Sequence, residues 1–312
     1  MTMRLLRQLE RVGRRFNTPV LTLGNFDGVH LGHQEILRRL VLRARALGGS
    51  AVVLTFQPHP TAVLAPVRAP RLITDWRSRV NLIAAMGVDA IVVQHFTRGF
   101  AAISADEFVR RFLVDGLGVR AIVVGHRVSF GHNRTGGAET LRLLGARCGF
   151  DVEVVGPVEV NGILVSSSAV RQAIGEGDFE RARLLLGRVF SVTGRVIHGH
   201  HRGHALGFPT ANLRIPDLVL PPDGVYAVRA LVKGVPREGV ANLGFNPTFQ
   251  EHERSLEAHL FDLNENLYGQ RMEVRFVCRL RGETKFANAQ ALAEQIARDA
   301  AAARAALAAS PE

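Results

Sequence analysis

The sequence is poor in cysteine, lysine and aromatic residues, and each shortage excludes a class of protein. Its 312 residues include two cysteines, Cys148 and Cys278, which are far apart and lack CxxC spacing. They predict neither a disulfide framework nor a cysteine-rich zinc site, and they fit a reducing cytoplasm. Aromatic residues make up 6% of the chain, and Lys233 and Lys285 are its only lysines. It therefore lacks the dense basic and aromatic tracts typical of nucleic-acid surfaces.

Long hydrophobic runs are also missing. No stretch approaches the roughly 18 uninterrupted apolar residues of a membrane span. The first 16 residues are basic but hold no apolar signal core. With 47% hydrophobic residues, the chain can still bury sizeable cores, and its length suggests about two domains.

Positive charge is in excess, with a formal net charge of +11 and a pI near 11.1. Such a balance favours an anionic partner, and because the arginines are scattered, phosphate-bearing small molecules fit better than nucleic acid or a membrane surface. We expect no nucleic-acid or membrane partner, and at most a weak homo-oligomer. Alternatively, the arginines reflect genome composition and keep the surface soluble.

The first half of the chain alternates short β-rich runs with amphipathic helical stretches. The expected strands are 20–26, 51–56, 90–94, 120–125 and 152–158, and the expected helices are 33–47, 75–86, 105–117 and 138–148. Ser104 and Glu107 form an S-x-x-E capping box at the start of the third helix. The alternation predicts a Rossmann-like α/β domain with a parallel sheet.

After about Gly187 the pattern changes. Expected strands follow one another closely at 189–197, 224–232, 237–243, 255–261 and 272–280, and an alanine-rich helix closes the chain at 287–309. Strands without intervening helices predict a small antiparallel β-barrel with a C-terminal helix. Two further helices, 166–174 and 178–186, precede the change, so we place the domains at 1–186 and 187–312.

The stretch GNFDGVHLGH, residues 24–33, lies between the first long strand and the first long helix. Ligands bind beyond the carboxyl ends of parallel strands, and a helix N-terminus offers N–H groups to a phosphate. Gly28 and Gly32 let the backbone approach, while His30 and His33 supply donors for charge that grows during phosphoryl transfer. A metal interpretation is weaker, because zinc helices place histidines at i, i+4. A third interpretation is that the histidines only cap the helix.

A second glycine-rich stretch, HGHHRGHALGFPTANL, spans residues 198–213 and holds four histidines in its first seven residues. Flexible glycines before a fixed FPTAN turn suit a flap that closes over phosphates. Thr210 and Asn212 offer oxygen ligands of the kind that Mg²⁺ prefers. A solvated loop followed by an ordinary turn is the alternative.

The first of these stretches resembles the H-x-G-H signature of the nucleotidylyltransferase superfamily, as found in the adenylyltransferase domain of bacterial bifunctional riboflavin kinase/FAD synthetases. TFQPHP (55–60), GHRVSFGHNRTGG (125–137) and VSSSAVR (165–171) resemble further motifs of that family in order. The resemblance implies that His30 and His33 stabilise the transition state at the α-phosphate of ATP. It implies an ATP site made of Gly24, Asn25, Phe26, Asp27, Gly28, His30, Gly32, His33, Ser166, Ser167, Ser168 and Arg171. It implies a flavin side made of Phe56, His59, Phe130, Gly131 and Arg134.

The third motif departs from the family pattern. Arg127 stands where a small polar or acidic residue is usual, and Val128 stands where an aromatic residue is usual. One hypothesis is that Arg127 pairs with the phosphate of FMN. The alternative is that this domain is degenerate and the chain makes only FMN.

The second half resembles riboflavin kinases, because FPTAN is followed by PPDGVYAV (221–228), ANLGFNPTF (241–249), LEAHLFD (256–262) and LRGETKF (280–286). The resemblance implies that Glu257 is the catalytic base. It implies an ATP site at Gly199, Arg202, Gly203, Gly207, Phe208, Pro209, Thr210 and Asn212, with Thr210 and Asn212 holding Mg²⁺. Arg281 and Tyr268 are further candidates, and a structural salt bridge is the alternative for Arg281.

Taken together, the resemblances imply a cytoplasmic bifunctional enzyme. It would phosphorylate riboflavin to FMN and then adenylylate FMN to FAD, using ATP with Mg²⁺ in both steps. Riboflavin, FMN, FAD and ATP are the expected small-molecule partners. No tightly bound transition metal is expected.

Overall fold

The computed structural model describes residues 3–198, 208–245, 254–263 and 265–310. Backbone contacts divide the chain into two units, the first made of Met1–Leu72 and Trp76–Ser167 and the second of Ile73–Asp75 and Ser168–Glu312. Among the described helices, none is both long and apolar enough to cross a membrane.

The first unit is built on a six-stranded sheet in which every neighbouring pair is parallel. Its strands are β1 (Arg4–Arg7), β2 (Pro19–Leu23), β3 (Ser50–Gln57), β4 (Ala90–His95), β5 (Ala121–Gly125) and β6 (Asp151–Val155), in the order β1-β4-β3-β2-β5-β6. Alternate residues of one strand enter different cores, since Leu21 belongs to one and Val20 to the other. Burial on both faces is typical of a parallel sheet with helices on either side.

Helices lie between these strands or follow the last of them. They are α1 (Leu31–Ala46), α2 (Pro60–Leu64), α3 (Trp76–Ala85), α4 (Arg98–Ala101), α5 (Ala105–Glu107, continued by a π-helical stretch at Phe108–Leu117), α6 (Ala138–Cys148), α7 (Ser167–Glu176) and α8 (Phe179–Leu186). Short 3₁₀ turns lie at Leu9–Arg11, Asp27–Val29, Pro66–Arg68 and His132–Arg134, and a small hairpin pairs β7 (Glu159–Val160) with β8 (Ile163–Leu164). The expected Rossmann-like α/β fold is confirmed.

Half of the expected capping box at α5 is present. Ser104 accepts a hydrogen bond from the backbone N–H of Glu107 at 3.1 Å, as an N-cap residue does. The Glu107 carboxylate pairs with Arg111 at 3.2 Å.

The strand order reverses beside β2, since β3 and β4 lie on one side of it and β5 and β6 on the other. Loops that leave β2 and β5 therefore diverge at the carboxyl edge of the sheet, and this is where ligands bind in open α/β sheets. The two loops are residues 24–30 and 126–137, which carry the first and third motifs.

The second unit contains a closed antiparallel barrel. Its strands are β9 (Ser191–Ile197), β10 (Ala211–Arg214), β11 (Gly224–Val232), β12 (Val235–Phe245), β13 (Arg254–Leu260) and β14 (Arg271–Arg281), in the closed order β10-β13-β12-β11-β14-β9. The last helix, α9 (Ala289–Ala309), packs Ala303 and Leu307 against Val225 and Val240. The expected barrel with a C-terminal helix is confirmed.

Four short strands were not expected from the sequence: the hairpin strands β7 and β8, and β1 and β10. β1 precedes Val20, where the first expected strand begins, and β10 occupies the second half of the expected FPTAN turn. Both are four residues long, and so short a run carries little periodic signal.

The division into units falls at Ser167 and Ser168, before the expected boundary at 186–187. In the second unit, Phe179 of α8 packs against Phe190, Tyr226 and Phe276. Helix α8 therefore shares an aromatic cluster with residues of the barrel strands, and the limits 1–186 and 187–312 stay a prediction.

Candidate active sites

The loop after β2 has a strained backbone. Phe26 and Val29 have φ angles of 50° and 41°, in the left-handed region that a β-branched residue such as Val29 rarely adopts. Both side chains are buried, and the backbone carbonyl of Asn25 accepts from the Arg79 guanidinium at 2.9 Å. Backbone strain held in place by packing is typical of a loop shaped for binding.

His30 and His33 lie at the start of α1, as the sequence indicated. Their rings stack with centroids 3.7 Å apart, and the backbone N–H of His33 donates to Nδ1 of His30 at 3.3 Å. Because Nδ1 of His30 accepts, the neutral ring carries its proton on Nε2. His30 thus caps the helix and keeps an N–H donor at the same time, so the capping and phosphate interpretations are compatible.

The serine motif meets this loop inside the first unit. The Ser167 hydroxyl donates to the backbone carbonyl of Asp27 at 3.2 Å. A Cβ added to Gly32 would lie 3.2 Å from the His30 ring and 3.9 Å from the Val165 carbonyl oxygen. A side chain at position 32 would therefore press on the His30 ring, while its distance to the Val165 carbonyl is an ordinary contact.

The remaining residues of that motif lie along α7 or just before it. Ser166 precedes the helix, Ser168 lies in its first turn and Arg171 follows one turn later. The division between the units falls inside this first turn, so the phosphate-binding role of Ser168 and Arg171 stays a prediction.

Asn25 and His59 form a pair whose protons can be assigned. Nδ1 of His59 accepts from the backbone N–H of Thr61 at 3.2 Å, so its neutral ring carries the proton on Nε2. That Nε2 lies 3.1 Å from the amide nitrogen of Asn25, and the buried amide oxygen of Asn25 has no partner among the described residues. Turning the amide over lets the oxygen accept from Nε2, and the NH₂ group then takes the buried position that has no partner among the described residues. The Asn25 NH₂ group is left as a donor.

A cavity of about 750 Å³ lies at the carboxyl edge of the sheet, and Gly24 and Asn25 form part of its wall. Five phenylalanines line it together with smaller apolar residues: Phe56, Phe96, Phe100, Phe108 and Phe130. These rings contact one another with centroids 5.7 to 6.2 Å apart. A volume of this size lined by aromatic faces fits a large planar ring system.

The cavity wall also carries three arginines and no acidic residue. Among the described residues, the side chains of Arg98, Arg127 and Arg134 have no hydrogen-bond or ion-pair partner. Guanidinium groups left unneutralised around an apolar cavity favour a ligand with an anionic group.

The structure brings together four of the five flavin-side residues, since Phe56, Phe130, Gly131 and Arg134 line the cavity. The fifth, His59, bonds to a lining residue. Sequence reasoning missed Phe96, Phe100, Phe108 and Arg98, which lie just after β4 and in the helices that follow it. Their spacing in the chain gives no shared signal, because only the sheet topology brings them to one place.

The barrel holds a second polar site. Asn212 on β10 lies directly opposite Glu257 on β13, so both side chains project from the same face of the sheet. Asn212 is 7% exposed, and its amide oxygen has no hydrogen-bond partner among the described residues. A buried acceptor without a partner is costly, and a hard cation beside Glu257 would satisfy it.

His259 fixes the turn that precedes β10. Its Nδ1 lies 2.9 Å from the carbonyl oxygen of Pro209, which can only accept, so Nδ1 carries the proton. The ring also packs edge-on against Phe208 at 5.5 Å. His259 thereby positions Phe208, Pro209 and the adjacent Thr210, a role that the sequence did not reveal.

The remaining kinase candidates have different surroundings. Arg281 forms a bidentate ion pair with Asp299 of α9, at 2.7 and 3.0 Å, which favours the structural interpretation. Tyr268 stacks on His198 with ring centroids 3.8 Å apart. Four expected ATP-site residues, Gly199, Arg202, Gly203 and Gly207, lie outside the described residues.

Each unit thus holds groups suited to phosphoryl chemistry, which indicates a transferase with two centres, and comparisons with known proteins identify the family. The family model for FAD synthetase matches residues 14–169, and the model for riboflavin kinase matches residues 186–307. The chain belongs to the bifunctional riboflavin kinase/FMN adenylyltransferase family. Both reactions therefore have a matching region, which supports two activities and not the FMN-only alternative.

Relatives match along almost the whole chain. The bifunctional riboflavin kinase/FMN adenylyltransferase of Pseudomonas fluorescens is 41% identical over 304 residues, covering 97% of each protein. The protein of the same name from Escherichia coli K12 is 40% identical over 286 residues, covering 91% of each. A crystal structure titled as a macrolide-efflux protein from Streptococcus pneumoniae is 31% identical, with a TM-score of 0.86 over 97% of this chain and 99% of that one.

Proposed function

We propose that this chain makes FAD from riboflavin in two ATP-dependent steps. In the first, the barrel unit transfers the γ-phosphoryl group of ATP to riboflavin, giving FMN and ADP. In the second, the α/β unit transfers AMP from another ATP to the phosphate of FMN, giving FAD and pyrophosphate. The observation that carries this proposal is the match of one family model to residues 14–169 and of the other to residues 186–307.

For adenylyl transfer, a phosphate oxygen of FMN attacks the α-phosphorus of ATP and pyrophosphate leaves. Negative charge grows on the α-phosphoryl oxygens, where the Nε2–H of His30 and the N-terminus of α1 would stabilise it. His33, stacked on His30, would donate beside it. Asn25 adds an amide donor between this loop and the cavity. The phenylalanines of the cavity would hold the flavin ring, and its arginines the FMN phosphate.

For phosphorylation, the terminal hydroxyl of riboflavin attacks the γ-phosphorus of ATP. Glu257 would accept the hydroxyl proton, while positioning and charge neutralisation supply most of the rate enhancement. His259 holds the Pro209 turn at this site, so that Thr210 stays near Asn212.

Both activities use ATP and imply a divalent cation, and we propose Mg²⁺. The Thr210 hydroxyl and the unpartnered amide oxygen of Asn212 would hold it in the barrel, since both are hard oxygen ligands. When bound, the ion would neutralise charge on the transferred phosphoryl group.

We also propose a cytoplasmic location, without nucleic-acid or membrane partners. Cys148 and Cys278 are both free thiols, which suits a reducing compartment. Burial raises the pKa of Cys278, which keeps it a thiol at neutral pH.

A chromatographic product assay tests the function. The purified protein is incubated with Mg-ATP and riboflavin, and separately with Mg-ATP and FMN. We expect FAD in both mixtures. FMN from the first and no FAD from either would refute adenylyl transfer, and no flavin product from folded protein would refute both reactions.

A further inference from the structure

The face of the barrel that carries Glu257 continues past it on the side away from Asn212. Asn242 on β12 lies directly opposite Glu257, just as Asn212 does on β10. The three side chains therefore form a row across three neighbouring strands. At roughly 4.8 Å per strand, the row is about 10 Å long.

The far end of this row offers polar groups that the protein itself does not use. Asn242 is exposed, and among the described residues its amide has no hydrogen-bond partner. Two residues further along β12, Gly244 points to the same face, and the Glu283 carboxylate lies where a Gly244 side chain would begin. Glu283 is also exposed, without a hydrogen-bond or ion-pair partner among the described residues.

The two ends of the row differ in chemistry. Asn212 is buried and presents an oxygen to a cation, so the phosphate and metal belong at that end. Asn242 and Glu283 present an amide and a carboxylate to solvent, which are groups that bind hydroxyls through both donation and acceptance. Glu257 lies between the two ends of the row. The reacting hydroxyl would therefore lie at the centre of the row, and the rest of the acceptor molecule would extend over β12.

We propose that Asn242 and Glu283 bind the polyhydroxyl side chain of the flavin and so select an acceptor with several hydroxyls. This proposal rests on the proposed riboflavin kinase activity. Other charged groups near the row are His259, which shares the face of Glu257 and bonds to Pro209, and Arg214, two residues beyond Asn212 on β10. His259 is already occupied, and Arg214 lies at the phosphate end.

The test compares two acceptors in the full-length protein. One is riboflavin, and the other is a flavin whose side chain is an ω-hydroxypentyl group, which keeps the reacting hydroxyl and lacks the inner ones. For Asn242→Ala and Glu283→Ala we expect the KM for riboflavin to rise about tenfold, with kcat within about threefold, because a hydrogen bond is lost in binding. For the hydroxypentyl flavin we expect the KM of each variant to stay within about twofold of the unsubstituted protein.

Matched controls are Asn288→Ser, which keeps the N-cap of α9, and Glu294→Ala on the exposed side of that helix. Both should leave both KM values unchanged. A riboflavin KM that does not move in Asn242→Ala, or one that rises equally for both acceptors, would overturn the proposal. Absence of FMN formation by the unsubstituted protein would instead refute the proposed kinase activity, so the two failures are distinguishable.

Discussion

At the scale of single residues, His30 shows how one side chain combines a structural and a chemical role. Its Nδ1 accepts the backbone N–H of His33, and its Nε2–H is then fixed as a donor. Loss of the ring would remove both. A replacement that keeps the N-cap hydrogen bond but lacks the second ring nitrogen would separate the structural role from the chemical role.

His30→Asn is that replacement, because asparagine is a good N-cap residue. We expect its thermal midpoint to stay near that of the unsubstituted protein while FAD formation from FMN falls about 100-fold or more. His30→Ala should lose activity and also about 1 kcal/mol of stability. Calorimetry and a product assay measure the two effects. Near-normal FAD formation by His30→Asn would assign the ring to capping alone.

Arg127 is where this chain departs from its family, and its charge can be tested directly. If its guanidinium pairs with the FMN phosphate, Arg127→Asp should raise the KM for FMN about 100-fold, because repulsion replaces attraction. Arg71→Asp, on the exposed strand-free segment before α3, provides the same charge change outside the cavity. Steady-state kinetics of FAD formation decide the matter, and an unchanged or lower KM would contradict the pairing.

Glu257→Gln removes the proposed base with little change of shape. We expect FMN formation from riboflavin to fall below detection, while FAD formation from added FMN continues, since that reaction uses the other unit. Circular dichroism should show a folded protein. A variant that keeps most of its kinase activity would remove Glu257 from the mechanism.

At the scale of elements, α1 is stabilised by ion pairs within the helix as well as by packing. The Glu35 carboxylate bonds to Arg38 and Arg39 at 2.8 and 2.7 Å. These bonds, the one to Arg38 first, lower the pKa of Glu35 from 4.5 to about 2. The stabilisation is therefore complete above pH 4.5 and is lost as the pH falls toward 2.

Glu35→Gln should accordingly destabilise the protein at pH 7 and make little difference near pH 2. Urea unfolding of both proteins across this range gives the measurement. Because the arginines are largely exposed, the difference at pH 7 should be small, and added salt should reduce it further. A difference between the two proteins that is the same at pH 7 and pH 2 would contradict the assignment.

Sequence periodicity predicted the long elements and the loops that follow them. It missed β1 and β10, since RLLR and ANLR are short and bear charge or polar groups beside two apolar residues. The register of β10 with β13 is what places Asn212 opposite Glu257. The spacing of motifs along the sequence cannot predict that register, because the register depends on how the strands pair when the barrel closes.

At the scale of the whole molecule, two active centres on two units should work separately. His30→Asn should convert riboflavin only to FMN, and Glu257→Gln should convert only FMN to FAD. Mixed together with riboflavin and Mg-ATP, the two variants should make FAD through FMN released into solution. If the mixture makes FMN but no FAD, one chain must hold both working centres.

The set of residues that forms the apolar wall of the cavity could not be predicted from the sequence. Phe56 and Phe130 were expected near the flavin from motifs, yet Phe96, Phe100 and Phe108 complete the apolar wall from outside any motif. Parallel sheet topology brings them together, and composition offered no hint, since aromatic residues are scarce. Local patterns thus identified the phosphate chemistry better than the shape of the ring site.

The order of the strands also bears on aggregation. The barrel is closed and leaves no free edge, whereas the parallel sheet ends at β1 and β6. β1 is short and carries Arg4 and Arg7, and β6 carries Asp151 and Glu153, which pair with arginines of α1. Charges on both open edges oppose pairing with the sheet of another copy. This arrangement would protect the chain from joining edge to edge when it is made at high concentration.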